Sequence, residues 1–306
     1  MTPLSGTAID LRSGAYTASI ASIGATVRRL QHDGRDLVVP FDADSVRPFF
    51  RGATLAPWPN RIVDGLWEAR GKTQKLAHTE PERAHALHGL AVWLDFAVEE
   101  QTESSVRLSA TVVAQTGYPF RIDLSVSFTL DDGGLHTTVT GTNSGSETAP
   151  FGTAPHPYLV AGDGLVDDWT LTLPAGQVLT VTEDRLIPVA LADVAEENGG
   201  EFDFRAARAI GDTFIDHAFT DVSRDASGIA EVRLTAPSGT GVAMRWGTEC
   251  GWVQIHTADQ PEPSISRLGL AVEPMTCPPD AFNSGTDVLW LEPGASASAG
   301  WTITAL

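Results

Sequence analysis

The chain reads as an all-β protein, a large antiparallel β-sandwich or barrel, and three observations carry that reading. Apolar and polar residues alternate with a period of two from end to end, as strands with one buried face do. Helical periodicity is scarce. Turn-forming residues are abundant, with 29 Gly and 19 Pro in 306 residues, and they separate the alternating runs as strand-connecting turns do.

Taken in order, residues 17–23 form the first clear strand, followed by 105–112, 121–128 and 135–140. The last two are joined by Asp131–Asp132–Gly133–Gly134, a hairpin turn because aspartate and glycine tolerate the backbone angles it needs. Later strands lie at 169–173, 231–235 and 252–256, and the chain closes on 288–291 and 300–303. Two short helices are expected. Residues 189–197 carry alanine, leucine and glutamate at helical spacing until Gly199–Gly200 stops them, and another helix is expected after Phe204. No linker or internal repeat divides the sequence, so 1–306 is read as a single β domain.

Composition narrows the function. The net charge is −19, from 39 acidic against 20 basic residues, which repels nucleic-acid phosphates and anionic lipid, so neither is an expected partner. The N-terminus shows no secretion signal and no stretch is apolar enough to span a bilayer. Cys250 and Cys277 cannot form a disulfide framework for a chain this long, so reduced thiols in a cytoplasmic protein are expected.

Six segments could carry chemistry. In Pro57–Trp58–Pro59–Asn60–Arg61–Ile62 an amide stands beside a guanidinium, a pairing that suits a neutral, hydroxyl-rich ligand; a solvated surface turn is the plain alternative. His85 and His88 would point to opposite sides of a strand. One imidazole, His88, is therefore read into a ligand cleft, with Gly89 allowing close backbone approach; a structural histidine in a turn is equally open. In Ala154–Pro155–His156–Pro157–Tyr158, flanking prolines fix the backbone around His156, as aiming a proton donor requires. Asp216, at the edge of an apolar segment, can accept two hydroxyl hydrogen bonds, whereas His217 reads as structural. Gln254 shares its strand face with Trp252 and His256, opposite Val253 and Ile255; a carbohydrate cleft and an ordinary exposed face both fit. Finally, the apolar strand ending in Val272–Glu273–Pro274 delivers one carboxylate into a partly apolar site, where desolvation raises its pKa toward that of a general base. Glu292, at a Pro–Gly turn, is assigned to a solvated loop. No spacing here is that of a metal motif.

With Asn60–Arg61–Ile62, Leu87–His88–Gly89, His156–Pro157–Tyr158, Asp216, Gln254 and Glu273 in this order, the chain resembles the aldose 1-epimerase (mutarotase) family nearly end to end. It departs after Gly89, where a second glycine is usual and Leu90–Ala91–Val92–Trp93 stands instead. That variation, and Trp58 between two prolines, is closer to a bacterial subgroup.

The resemblance implies a β-supersandwich of the galactose mutarotase-like kind and interconversion of the α and β anomers of a free sugar. It implies Glu273 as general base on the anomeric hydroxyl, His156 as general acid on the ring oxygen, and His88 assisting there. Asn60, Arg61, Asp216 and Gln254 would hold hydroxyls. Two proton transfers suffice, so no metal or other cofactor is expected. His156 must then start protonated and Glu273 ionised, and nearby carboxylates are expected to hold the imidazolium above its ordinary pKa of about 6.5. The alternatives are a non-catalytic carbohydrate-binding sandwich using Trp58 and Trp93, a hexose 6-phosphate mutarotase drawing on Arg51 and Arg61, a glycoside hydrolase, for which a second carboxylate is missing, and a cupin-like metalloenzyme.

Overall fold

Strand alternation in this chain builds two large antiparallel sheets that face each other across one apolar core. The computed structural model describes residues 2–306. A nine-stranded sheet runs, in spatial order, through Ala97–Gln101, Ser105–Val112, Ile122–Asp131, Gly134–Asn143, Ser296–Ala305, Gly241–Trp246, Ala230–Thr235, Thr170–Thr172 and Arg208–Ala209. A six-stranded sheet runs through Tyr158–Leu159, Leu270–Met275, Trp252–His256, Asp216–Val222, Ala175–Val181 and Pro188–Asp193. Four strands between Ala8 and Asp36 form a third sheet. This is the galactose mutarotase-like β-sandwich.

Period-two patterning decides which side of each strand meets the core. Ile122, Leu124, Val126, Phe128 and Leu130 are buried along one strand while their neighbours are partly or fully exposed. The hairpin at Asp131–Gly134 forms, with Asp131 paired to Gly134 and Asp131 Oδ1 accepting from Gly133 N at 2.7 Å.

The central strands of the six-stranded sheet differ. Leu270–Met275 is buried throughout and Trp252–His256 almost throughout. Leu270, Val272, Val253 and Ile255 face the main core. Their opposite face, which holds Glu273 and Gln254, is buried too. A second covered face carrying polar side chains is where a binding site is to be sought.

Neither expected helix forms. Pro188–Asp193 is an edge strand on Ala175–Val181, and the segment after Phe204 turns into Arg208–Ala209, the edge of the larger sheet. Both places offer a row of unpaired backbone donors and acceptors, and pairing with them outweighs a weak local helix preference. Val189 and Leu191, with 65% and 47% exposure, lie on that open edge. Among the described residues, the one α-helix is Ala281–Ser284. No helix of the described residues is long and apolar enough to cross a membrane.

Candidate active site

Strand register gathers the polar residues of the covered face. Gln254 pairs with Glu273 on one side and Ala218 on the other, and Asp216 pairs with His256. Paired residues share a face, so Asp216, Gln254, His256 and Glu273 project together, with the small Ala218 and Ala271 beside them. Main-chain contacts bring the rest. Arg61 pairs with Leu87, and His88 N donates to Asn60 O at 2.8 Å. His156, between Pro155 and Pro157, is fixed by its N–H to Ala53 O at 3.0 Å and by Gly52 N donating to its carbonyl at 2.7 Å.

These residues line one cavity of about 460 Å³, within the range of small-molecule sites. All seven candidates border it: Asn60, Arg61, His88, His156, Asp216, Gln254 and Glu273. Four non-glycine residues along its wall have left-handed backbones: Phe49 (φ 49°), Phe50 (57°), Asn60 (54°) and His88 (65°). Asn and His adopt this conformation more readily than other residues, so Phe49 and Phe50 are the strained positions of the four. Gly89 (φ 77°) follows His88, and a Cβ there would collide with the Ala56 carbonyl.

At the centre, His156 Nε2 lies 3.4 Å from Glu273 Oε1. His88 packs edge-on against His156 with ring centroids 4.8 Å apart, and Phe50 packs on His88 at the same distance. Glu273 is only 1% exposed. Four buried polar atoms here have no hydrogen-bond partner in the protein: His88 Nδ1, His156 Nδ1, Gln254 Oε1 and Glu273 Oε2. Unsatisfied polar groups at this density cost stability, and they mark a surface built to bind polar groups.

Burial also sets the protonation. Glu273 is pushed well above the carboxylate range by desolvation, with the Asp216 charge adding to the rise and Arg61 opposing it. His156 is pulled down to about 3, again by desolvation first, and His88 falls well below its ordinary value for the same reason. The expectation that carboxylates would raise His156 is therefore corrected. Loss of water around the imidazole outweighs Asp216, and Glu273, itself held neutral, supplies no charge to oppose that loss. Asp216 does ionise easily, lowered to about 2 by Arg61, His256 and Gln254 despite its burial.

Several expectations about neighbours change. Trp58 is buried in the core against Phe282 and Tyr118, and Trp93 stacks on Arg47 outside the cavity, so neither is a platform for sugar. Arg51 does not line the cavity. His85 is structural: Asp64 N donates to its Nδ1 at 3.2 Å, which leaves Nε2–H to donate to Arg185 O at 2.9 Å. Glu292 is exposed, as read. Sequence reasoning missed Glu80, Arg83 and Phe50 and gave no role to Tyr158, all at the cavity wall. For Glu80 the signal was indirect: a buried arginine needs a counter-charge, but nothing local says where it comes from.

His88, His156 and Glu273 also offer metal-ligand atoms within 4.8 Å of one another, a nitrogen and oxygen set that transition metals accept. That spread exceeds the roughly 3.4 Å between ligands of a tetrahedral zinc ion, so the side chains would have to draw together around an ion.

Residues 7–304 match the family model for aldose 1-epimerase. The chain belongs to the aldose 1-epimerase family. Among its relatives, the Uncharacterized protein YihR of Escherichia coli strain K12 is 36% identical over 291 residues, covering 95% of this chain and 90% of that one. A GalM/aldose epimerase homologue from C. elegans superposes with a TM-score of 0.84 at 20% identity, covering 98% of each chain. A putative aldose 1-epimerase from Escherichia coli K12 superposes at 0.83 and 21% identity, covering 98% of this chain and 99% of the other. At these identities the two structures speak for the fold.

Proposed function

We propose that this member of the family is a mutarotase, interconverting the α and β anomers of a free aldohexose by acid–base ring opening and reclosure. The observation that carries the reading is the buried His156–Glu273 pair at 3.4 Å, set in a cavity whose walls hold unpartnered polar atoms.

Opening the hemiacetal takes one proton off the C1 hydroxyl and puts one on the ring oxygen as the C1–O5 bond breaks. Glu273 as carboxylate accepts the first, and His156 as imidazolium donates the second. The pair then holds a carboxylic acid and a neutral imidazole, which is also the form that burial by the protein alone favours. Both forms contain one proton. They differ in which side chain has it, and 3.4 Å separates the two. Sugar hydroxyls filling the cavity supply the polar contacts that burial removed, so the proton moves to His156 and the charged pair forms. Rotation about C1–C2 then presents the other carbonyl face, and the same steps reversed close the opposite anomer.

His88 assists at the ring oxygen as a neutral hydrogen-bonding group. Asn60, Arg61, Asp216 and Gln254 hold ring hydroxyls; Asp216 already accepts from Arg61 Nη2 at 3.3 Å and Gln254 Nε2 at 2.7 Å, so it offers its remaining lone pairs. Polarimetry on freshly dissolved single anomers tests the proposal, using a panel of free aldohexoses and their 6-phosphates. Acceleration with at least one free sugar is the expected result. Binding without acceleration would return the chain to a carbohydrate-binding role, and activity confined to phosphates would move it to the hexose 6-phosphate class.

A further inference from the structure

We infer that Glu80, whose carboxylate is engaged by Arg61 and Arg83, is the positioning residue that orients Arg61 in the site. Arg61 is buried, and a buried guanidinium is tolerated only when paired and hydrogen-bonded. Glu80 supplies that pairing by a two-point clamp: Arg61 Nε donates to Glu80 Oε2 at 2.8 Å and Arg61 Nη2 to Oε1 at 3.0 Å. A fork-to-carboxylate clamp fixes the plane of the guanidinium as well as its place. Arg83 Nη1 occupies Oε1 from the other side at 2.9 Å. Three of the carboxylate's acceptor positions are thus used by arginines, and its side chain is 5% exposed.

The backbone holds Glu80 as firmly. Glu80 N donates to His85 O at 3.1 Å and His85 N returns to Glu80 O at 3.2 Å, closing a short loop. With the guanidinium held this way, Nη2 also reaches Asp216 Oδ2 at 3.3 Å, while Nη1 makes no hydrogen bond to the described residues and is left for a ligand.

The consequence is electrostatic as well as steric. Asp216 is faced by Arg61, Gln254, His256 and His217, and Arg61 heads the influences that keep it ionised. Glu273 is faced by Asp216, Arg61, His156 and His88; Asp216 raises it and Arg61 lowers it. If Glu80 lets go, Arg61 drifts from both carboxyls, and both become harder to ionise.

The test is a carbon-13 titration of the Asp216 and Glu273 carboxyl groups in sugar-free protein, comparing the parent with Glu80→Met and Glu80→Gln. Methionine keeps the volume and removes both acceptors; glutamine keeps one acceptor. In Glu80→Met the Asp216 midpoint should rise by about one unit or more, the scale on which a neighbouring arginine acts, and Glu273 should move further up. Glu80→Gln, still holding one N–H of Arg61, should leave Asp216 close to its parent value. Unmoved carboxyls in a folded Glu80→Met overturn the inference. Should that variant not fold, Glu80→Gln is read through the Arg61 Nε–H and Nη–H resonances together: with one of the two acceptors gone, at least one of them must shift or exchange faster with water, and an unchanged set overturns the inference equally.

The kinetic consequence rests on the mutarotase reading, whereas the titration does not. Moved carboxyls with a clear loss of kcat/KM support both. Moved carboxyls in a protein with no epimerase activity before or after substitution support the Glu80 assignment and tell against the reaction.

Discussion

Replacing His156 and Glu273 together should cost little more than replacing either one alone. The two groups are 3.4 Å apart, both buried, and in the proposed reaction they pass protons as one unit. A positioned acid or base contributes about 10²–10⁴-fold, so His156→Asn and Glu273→Gln should each lower kcat by that factor. This corresponds to about 2.7–5.5 kcal/mol of transition-state stabilisation per variant. Independent groups would multiply their losses to roughly 10⁴–10⁸-fold in the double variant. Interdependent ones cannot, because once one partner is gone the other has no proton to give or nowhere to send it. The coupling energy should therefore be about as large as the single effects. Polarimetric rates on a preferred sugar, with circular dichroism confirming that all three variants fold, complete the cycle. Multiplicative losses, with coupling near zero, would refute the idea of a shared proton and leave two separate contributions.

Stability should depend on pH through the same pair. Glu273 titrates higher folded than unfolded, so its contribution to stability is full below its unfolded value and is lost as pH rises through its folded value. Thermal melts of Glu273→Gln should accordingly show a gain over the parent at neutral and alkaline pH that shrinks by pH 4; a constant offset contradicts this. His156 has the opposite sign. Its folded value is lowered to about 3 from 6.5, so its contribution is full above 6.5 and is lost progressively as pH falls toward 3. Melting temperatures of His156→Asn should thus fall less than the parent's between pH 7 and pH 4, and an equal fall would count against a buried neutral imidazole. Gly89→Ala forces a Cβ onto the Ala56 backbone at a left-handed position. It should cost more than about 1 kcal/mol in urea unfolding and lower kcat by displacing His88; parent-like stability would show that the loop yields freely.

The sequence made the large sheets legible because each strand has one core face, and alternation there is a direct record of burial. Ser105–Val112 and Trp252–His256 have the bounds that their alternation indicates. The helices expected after Pro188 and Phe204 failed for a reason that single-sequence reading cannot reach. Their backbones are taken by the open edges of sheets assembled from distant segments. The residues around the cavity were legible where they interrupt a pattern: a carboxylate within an apolar strand, a histidine between two prolines, a glutamine between two aliphatic residues. Glu80 interrupts nothing, and its meaning comes only from Arg61, nineteen positions away. Trp58 misled because flanking prolines suggest an exposed turn, whereas its ring completes an aromatic cluster with Phe282 and Tyr118. The protonation of His156 was misjudged because charges can be counted in a sequence but the depth of burial cannot, and burial dominates here.

The most direct measurement is two-dimensional exchange NMR of an aldohexose at anomeric equilibrium, recorded with catalytic amounts of the protein. Cross-peaks between the α and β anomeric protons should build up far faster than without protein. In Glu273→Gln they should sink by at least about 10²-fold in rate. Exchange no faster than in buffer across the sugar panel, or full exchange in the folded Glu273→Gln protein, would contradict the proposed mechanism.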